Sequence, residues 1–129
     1  MAAAVCPPYR PMVLLSGHSA IGFSGMEMET LARYNLPVKI VVLNNGGIGP
    51  GMPEIPENPM MNMKGNALIY GARYDKMMEA FGGFGAFVED PKDIKKALDA
   101  AMKFKGPALV NIVLSQNSAR KAQQFGWKT

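Results

Sequence analysis

The apolar positions of this chain fall into short runs of two kinds. Val38 to Leu43 is the clearest: β-branched, apolar, interrupted only by Lys39, as in a strand covered on both faces of a parallel sheet. Met12 to Leu15 and Ala108 to Leu114 predict two further buried strands, Phe84 to Val88 another strand, and Asn66 to Tyr70 a short edge strand. Helical spacing appears between them. Met28, Leu31 and Ala32 share one face of a helix predicted over Met26 to Tyr34, with Ser24 as cap, Glu27 completing a capping box, and Leu36-Pro37 as the stop. A second helix is predicted over Tyr74 to Phe81, closed by Gly82-Gly83. The third starts at Asp90-Pro91-Lys92-Asp93, with Asp90 capping and Pro91 in the first helical position. Ile94, Ala97, Leu98 and Ala101 form its buried stripe, and Gly106-Pro107 ends it.

Two stretches lack periodicity. Gly17 to Gly25 reads as a glycine-and-serine loop. Ile48 to Gly65 is rich in Met and holds Pro50, Pro53, Pro56 and Pro59; a loop of that length is usually functional or disordered. The alternation of strands and helices predicts a three-layer α/β/α domain with a mostly parallel sheet over residues 12–115. Residues 1–11 form an extended entry segment containing Pro7, Pro8 and Pro11, and residues 116–129 a polar, partly basic tail. The first strand comes so early that one β-α unit is expected to be missing from the front.

Composition narrows the function classes. With 48% hydrophobic and 19% charged residues over 129 positions, the chain is one globular domain. Its net charge of +4 is spread out, without an aromatic-interleaved basic patch, so no nucleic-acid partner is expected. A mild basic excess suits an acidic small molecule better. Cys6 is the one cysteine and cannot close an internal bridge. No run of eighteen apolar residues is present, so no membrane span is expected. The eleven Met residues read as packing material.

The candidate site is a loop pair, Gly17-His18-Ser19 and Asn44-Asn45-Gly46-Gly47. Taken alone, the second loop is an ordinary turn, since Asn and Gly tolerate positive φ. Its place directly after a buried strand is where open α/β sheets hold ligands. Gly17 lies 28 residues ahead of Asn45, with loop, helix and strand between. That layout resembles the thiamine-diphosphate fingerprint, a Gly-Asp-Gly or Gly-Asp-Ser turn followed by an Asn-Asn pair. The stretches GHSAIGFSGMEMETLARYNLP, NNGGI, ARYDKMMEAFGG and SARKAQQFGW resemble the 2-hydroxyacyl-CoA lyase and oxalyl-CoA decarboxylase branch, the last leaning toward the lyases.

The resemblance implies a domain that holds thiamine diphosphate through Mg²⁺, with the metal ligands falling on His18, Asn45 and the backbone of Gly47. Gly17, Ser19, Ala20 and Ile48 complete the implied cofactor contacts. It also implies an acyl-CoA substrate split into an aldehyde and formyl-CoA, or, in the decarboxylase, into carbon dioxide and formyl-CoA. The activating glutamate of the family sits on a separate pyrimidine-binding domain, presented by a partner subunit in a homo-oligomer. The chain alone is therefore expected to be inactive. The lyase branch is often peroxisomal, but no terminal peroxisomal signal is visible, and peroxisomal and cytoplasmic placement both stay open.

This chain departs from the pattern at His18, where the family has a carboxylate. Mg²⁺ prefers oxygen, whereas Mn²⁺, Co²⁺ or Zn²⁺ tolerate imidazole nitrogen better. A cationic imidazole would instead attract diphosphate directly. The sequence leaves open weakened metal-assisted binding, a retained site with altered metal use, or an engineered, truncated or degenerate domain that folds and self-associates without catalysis. Gly49 also departs, standing where the lyase branch usually has Tyr.

Overall fold

The most apolar run of the sequence becomes the centre of the sheet. In the computed structural model, which describes residues 12–49 and 64–115, β2 (Val38–Asn44) lies between β1 (Met12–Gly17) and β4 (Ala108–Val113), with β3 (Phe84–Val88) on the far edge. The order is β1-β2-β4-β3 and every pairing is parallel. Because side chains alternate across a strand, β2 serves two cores. Val38, Ile40 and Val42 face one side and pack with Ile21, Met28, Leu31, Met78 and Leu109. Val41 faces the other, with Val88, Ala101, Ala108, Val110 and Ile112.

The first core is roofed by α1 (His18–Ser24), α2 (Glu27–Arg33) and α3 (Tyr74–Ala80), the second by α4 (Ile94–Lys103). The three-layer architecture is thus as expected, with a wholly parallel sheet among the described residues. The α4 signals also hold. Asp90 accepts from the Lys92 N–H at 2.9 Å, a 3₁₀ turn over Pro91–Asp93 leads in, and the Ile94, Ala97, Leu98, Ala101 stripe faces the sheet.

Four expectations are corrected. Gly17 to Gly25 is not a loop: after Gly17 the chain turns straight into α1, a seven-residue helix anchored by His18 and Ile21. Docking against the sheet overrides the weak helical propensity of glycine and serine. Ser24 therefore ends α1 and caps nothing, and α2 begins without a side-chain cap. Gly25 makes the corner between the two helices; a Cβ there would lie 2.8 Å from the Ile21 carbonyl oxygen. Third, β1 is not buried. It is an edge strand: Val13 and Leu15, 59% and 65% exposed, lie on the face that α4 covers only over β3 and β4, and Leu14, 50% exposed, borders an open groove beside α1 and α2. Fourth, Asn66 to Tyr70 is no strand but one antiparallel bridge between Ala67 and Gly47, cut short by the turn at Gly71, whose φ is +68°. Of the long loop, residues 50–63 lie outside the described residues, as do the entry segment and the tail.

Lys39, the polar interruption of β2, is 3% exposed. Its Nζ donates to the carbonyls of Phe104 and Gly106 at 2.6 and 2.5 Å, fastening the α4–β4 turn to the central strand. Burial pushes the ammonium below its ordinary pKa.

On the opposite side, α3 crosses β3 so closely that Gly85 has no room for a side chain. A Cβ would stand 2.5 Å from the Asp75 carbonyl oxygen and 2.8 Å from Glu79 Cγ. Gly85→Ala is expected to destabilise the domain by about 1–3 kcal/mol, the usual cost of overpacking. Urea unfolding checks this; a loss under about 0.5 kcal/mol would mean that α3 can slide outward freely.

Candidate functional site

The C-terminal ends of β1 and β2 lie side by side, since Gly17 pairs with Leu43 in register. The loops that leave these two strands are therefore neighbours, and both halves of the candidate site meet. Gly17 is the extended residue ahead of α1. His18 opens the helix, is 2% exposed, and places Nδ1 3.3 Å from the Leu43 carbonyl oxygen. Ser19 is half-buried and Ala20 exposed. Both follow in the first turn, where backbone N–H groups have no partner inside the helix.

The second loop is shaped by its own amides. Asn44 Oδ1 accepts from the Gly46 N–H at 3.2 Å, turning the chain as β2 ends, and Gly46 takes φ +74°. Asn45 Nδ2 donates to the Gly49 carbonyl at 2.8 Å. The bridge to Ala67 is closed by Leu68 N–H to the Gly46 carbonyl at 3.0 Å and Ile48 N–H to the Asn66 carbonyl at 2.8 Å. Gly47 is buried in that bridge and Ile48 is 52% exposed.

Below the loop lies a polar network. Asn44 and Asn111 are both fully buried, and both donate to the Ala72 carbonyl, at 3.2 and 2.7 Å. Asn44 Nδ2 also lies 3.4 Å from Asn111 Oδ1. Asn111 reaches Asp75 Oδ1 at 3.5 Å, and Asp75 is held by Arg73 through Nε at 2.9 Å and Nη2 at 2.6 Å. Burial raises the Asp75 pKa, but the bonds from Arg73 and Asn111 outweigh it, so the carboxyl stays below its ordinary range. The Arg73 guanidinium in turn rests 4.2 Å from the centre of the Phe87 ring. Asp75 is thus a buried structural carboxylate. Asn111 was missed, although a lone Asn inside an apolar strand is itself a signal, because a buried amide needs partners.

Between α1 and α3 the loop pair opens on a cleft of ≈ 520 Å³, walled mainly by Ile21, Phe23, Met26, Ile48, Leu68 and Met77 and lined also by His18, Ser19 and Tyr74. Among the described residues no carboxylate lines it.

Residues 1–112 match the family model described as thiamine pyrophosphate enzyme, C-terminal TPP binding domain. The chain belongs to this family. It is 38% identical over 130 residues to 2-hydroxyacyl-CoA lyase 1 of Mus musculus, covering 95% of this chain and 22% of that one. To oxalyl-CoA decarboxylase of Escherichia coli K12 it is 41% identical over 113 residues, covering 81% and 18%. The fold matches the solved Rhodococcus jostii thiamine diphosphate-dependent 4-hydroxybenzoylformate decarboxylase with a TM-score of 0.65, at 22% identity over 84% of this chain and 20% of that one. The TPP-binding domain described here thus spans about a fifth of the length of the curated relatives it matches.

Whether these residues suit a Mg²⁺-held diphosphate is a question of donors. Asn45 and Gly47 can offer neutral oxygens. Position 18 offers an imidazole whose Nδ1 is engaged with Leu43 and whose buried Nε2 has no partner among the described residues. No group of three or more His, Cys, Asp or Glu that could hold a metal occurs among the described residues. A hard dication that wants anionic oxygen does not fit this set.

Two outcomes are expected of this geometry. Asn111→Ala removes a donor to Ala72 and a partner of Asn44, and should cost about 1–3 kcal/mol in chemical unfolding, with faster amide exchange at Gly46. Unchanged exchange at Gly46 would detach the network from the loop. Separately, burial holds the His18 pKa below its ordinary 6.5, with the Leu43 bond pulling the other way. Its stabilising contribution is therefore complete above pH 6.5 and is lost as pH falls through the lowered folded value. The melting temperature should fall further between about pH 7.5 and about pH 5 in the native chain than in His18→Asn, which keeps an N–H donor but does not titrate. Equal losses in the two chains would exclude His18 as the source.

Proposed function

We propose that this chain is the diphosphate-side domain of a thiamine-diphosphate-dependent carbon–carbon lyase that splits 2-hydroxyacyl-CoA into an aldehyde and formyl-CoA, and that it is inactive alone. The observation that carries this reading is the Asn44–Gly47 turn, set by buried amides at the carboxyl end of a central parallel strand and against the start of α1. In this reading Gly17, Ser19, Ala20, Asn45, Gly47 and Ile48 face the cofactor. The backbone N–H groups at the start of α1 suit anionic oxygen, and the apolar wall with Ile48 suits a ring. The bound cofactor would supply the electron sink.

The lyase reading is preferred to oxalyl-CoA decarboxylase because similarity to the mouse lyase runs over 95% of the chain, against 81% for the bacterial decarboxylase. Inactivity alone is supported by the cleft, where no carboxylate lines the wall among the described residues to act as acid or base. The exposed Val13 and Leu15 on β1 suit contact with a pyrimidine-binding domain or partner subunit, since exposed apolar surface marks contact sites. A non-catalytic module is the second reading, favoured by the imidazole at position 18.

The purified chain, given 2-hydroxyacyl-CoA, thiamine diphosphate and Mg²⁺, is expected to release no formyl-CoA. Release that tracks protein purity would refute inactivity. For the lineage itself, residues 12–115 carrying His18→Asp should support formyl-CoA release when they replace the matching segment of the mouse lyase. A folded chimera without activity would favour the non-catalytic module.

A further inference from the structure

We infer that residue 18 has left the metal-ligand set of this domain: His18 is an internal post joining the start of α1 to the end of β2, and the loop pair holds no divalent ion. This rests on the reading of the loop pair as the diphosphate side of a cofactor site.

The tautomer follows from the partner. A carbonyl oxygen can only accept, so the Nδ1 that lies 3.3 Å from Leu43 O carries the proton. In the neutral ring, Nε2 is then the lone pair that a metal would need. That atom is buried and has no partner among the described residues. Nor does Nδ1 offer a ligand while its hydrogen is given to Leu43. For either nitrogen to reach an ion in the cleft, the ring must leave its buried seat and release the β2 carbonyl.

Among the described residues no other side chain replaces the missing charge. Asp75 is engaged by Arg73, Glu79 by Lys76, and Glu29 by Arg33. Glu27 borders a different groove, beside Leu14 and Val38. Asn45 has given its amide N–H to Gly49 and keeps one neutral oxygen. Neutral oxygens alone do not compensate a small dication for the water it would shed.

His18 is the sole histidine of the chain, so a tag-free, ¹⁵N-histidine-labelled sample reports on this ring without assignment. The expected spectrum is the Nδ1-protonated tautomer, unchanged by stoichiometric Zn²⁺ and unbroadened by Mn²⁺, with or without inorganic pyrophosphate. Bound Mn²⁺, read by water-proton relaxation, should stay at background in the native chain. His18→Asp, which returns a carboxylate and removes the ring, should tighten Mn²⁺–pyrophosphate retention at least about tenfold, the scale on which even outer partners of a metal site act. A stoichiometric Zn²⁺ shift at Nε2, or one-to-one Mn²⁺ uptake by the native chain, would overturn the inference. Background uptake by both chains would leave the inference standing and count against the cofactor reading instead. Amide exchange of β2 in His18→Asp confirms that the variant is folded.

Discussion

Two buried asparagines converge on one carbonyl, and the geometry of the site depends on that convergence. Asn44 ends the central strand and Asn111 sits in its neighbour, yet both donate to Ala72 just ahead of α3. Amides buried without partners would each cost on the order of 1–3 kcal/mol, so the two strands and the segment before α3 are constrained together. Because Asn44 spends its amide nitrogen on this anchor, its Oδ1 is left to turn the chain at Gly46. The bend that presents Asn45 and Gly47 is thus an outgrowth of the core and owes little to the loop's own propensity. Arg73 and Asp75 extend the same network to β3, where the guanidinium lies over Phe87.

What the amino-acid pattern revealed and what it hid follow from this arrangement. Val38 to Leu43, Phe84 to Val88 and the Asp90-capped helix were readable because local signals and tertiary roles agree there. Met12 to Leu15 misled because hydrophobicity reports a tendency to be covered, whereas the order β1-β2-β4-β3 leaves this strand on an edge that the described helices cover only in part. The first helix was hidden by its glycines and serines; only His18 and Ile21 bury against the sheet, too few for a visible period. The candidate loop pair was legible through the fingerprint, and the closeness of its two halves follows from the Gly17–Leu43 pairing. The direction of His18 was not legible, since nothing in the local sequence shows whether an imidazole at a helix start turns toward the cleft or toward the next strand.

That direction separates two incompatible uses of one position. At the start of α1, the inward neighbour is the Leu43 carbonyl, an acceptor. An imidazole satisfies it by donating. A carboxylate cannot, because two acceptors repel, and it would have to turn toward the cleft, where a cation could meet it. The residue at position 18 therefore decides whether the β1–α1 junction serves the sheet or the ligand. With His18 the junction gains a cross-link between adjacent strands' ends while an Nε2 acceptor goes unpaired. The rest of the loop geometry, set by Asn44 and Asn111, has no contact that requires a metal to hold it. Such a scaffold can keep the shape of a cofactor site after the charge that anchored the cofactor has gone, which is why sequence and fold point so firmly to a thiamine pyrophosphate enzyme while the donor set does not follow.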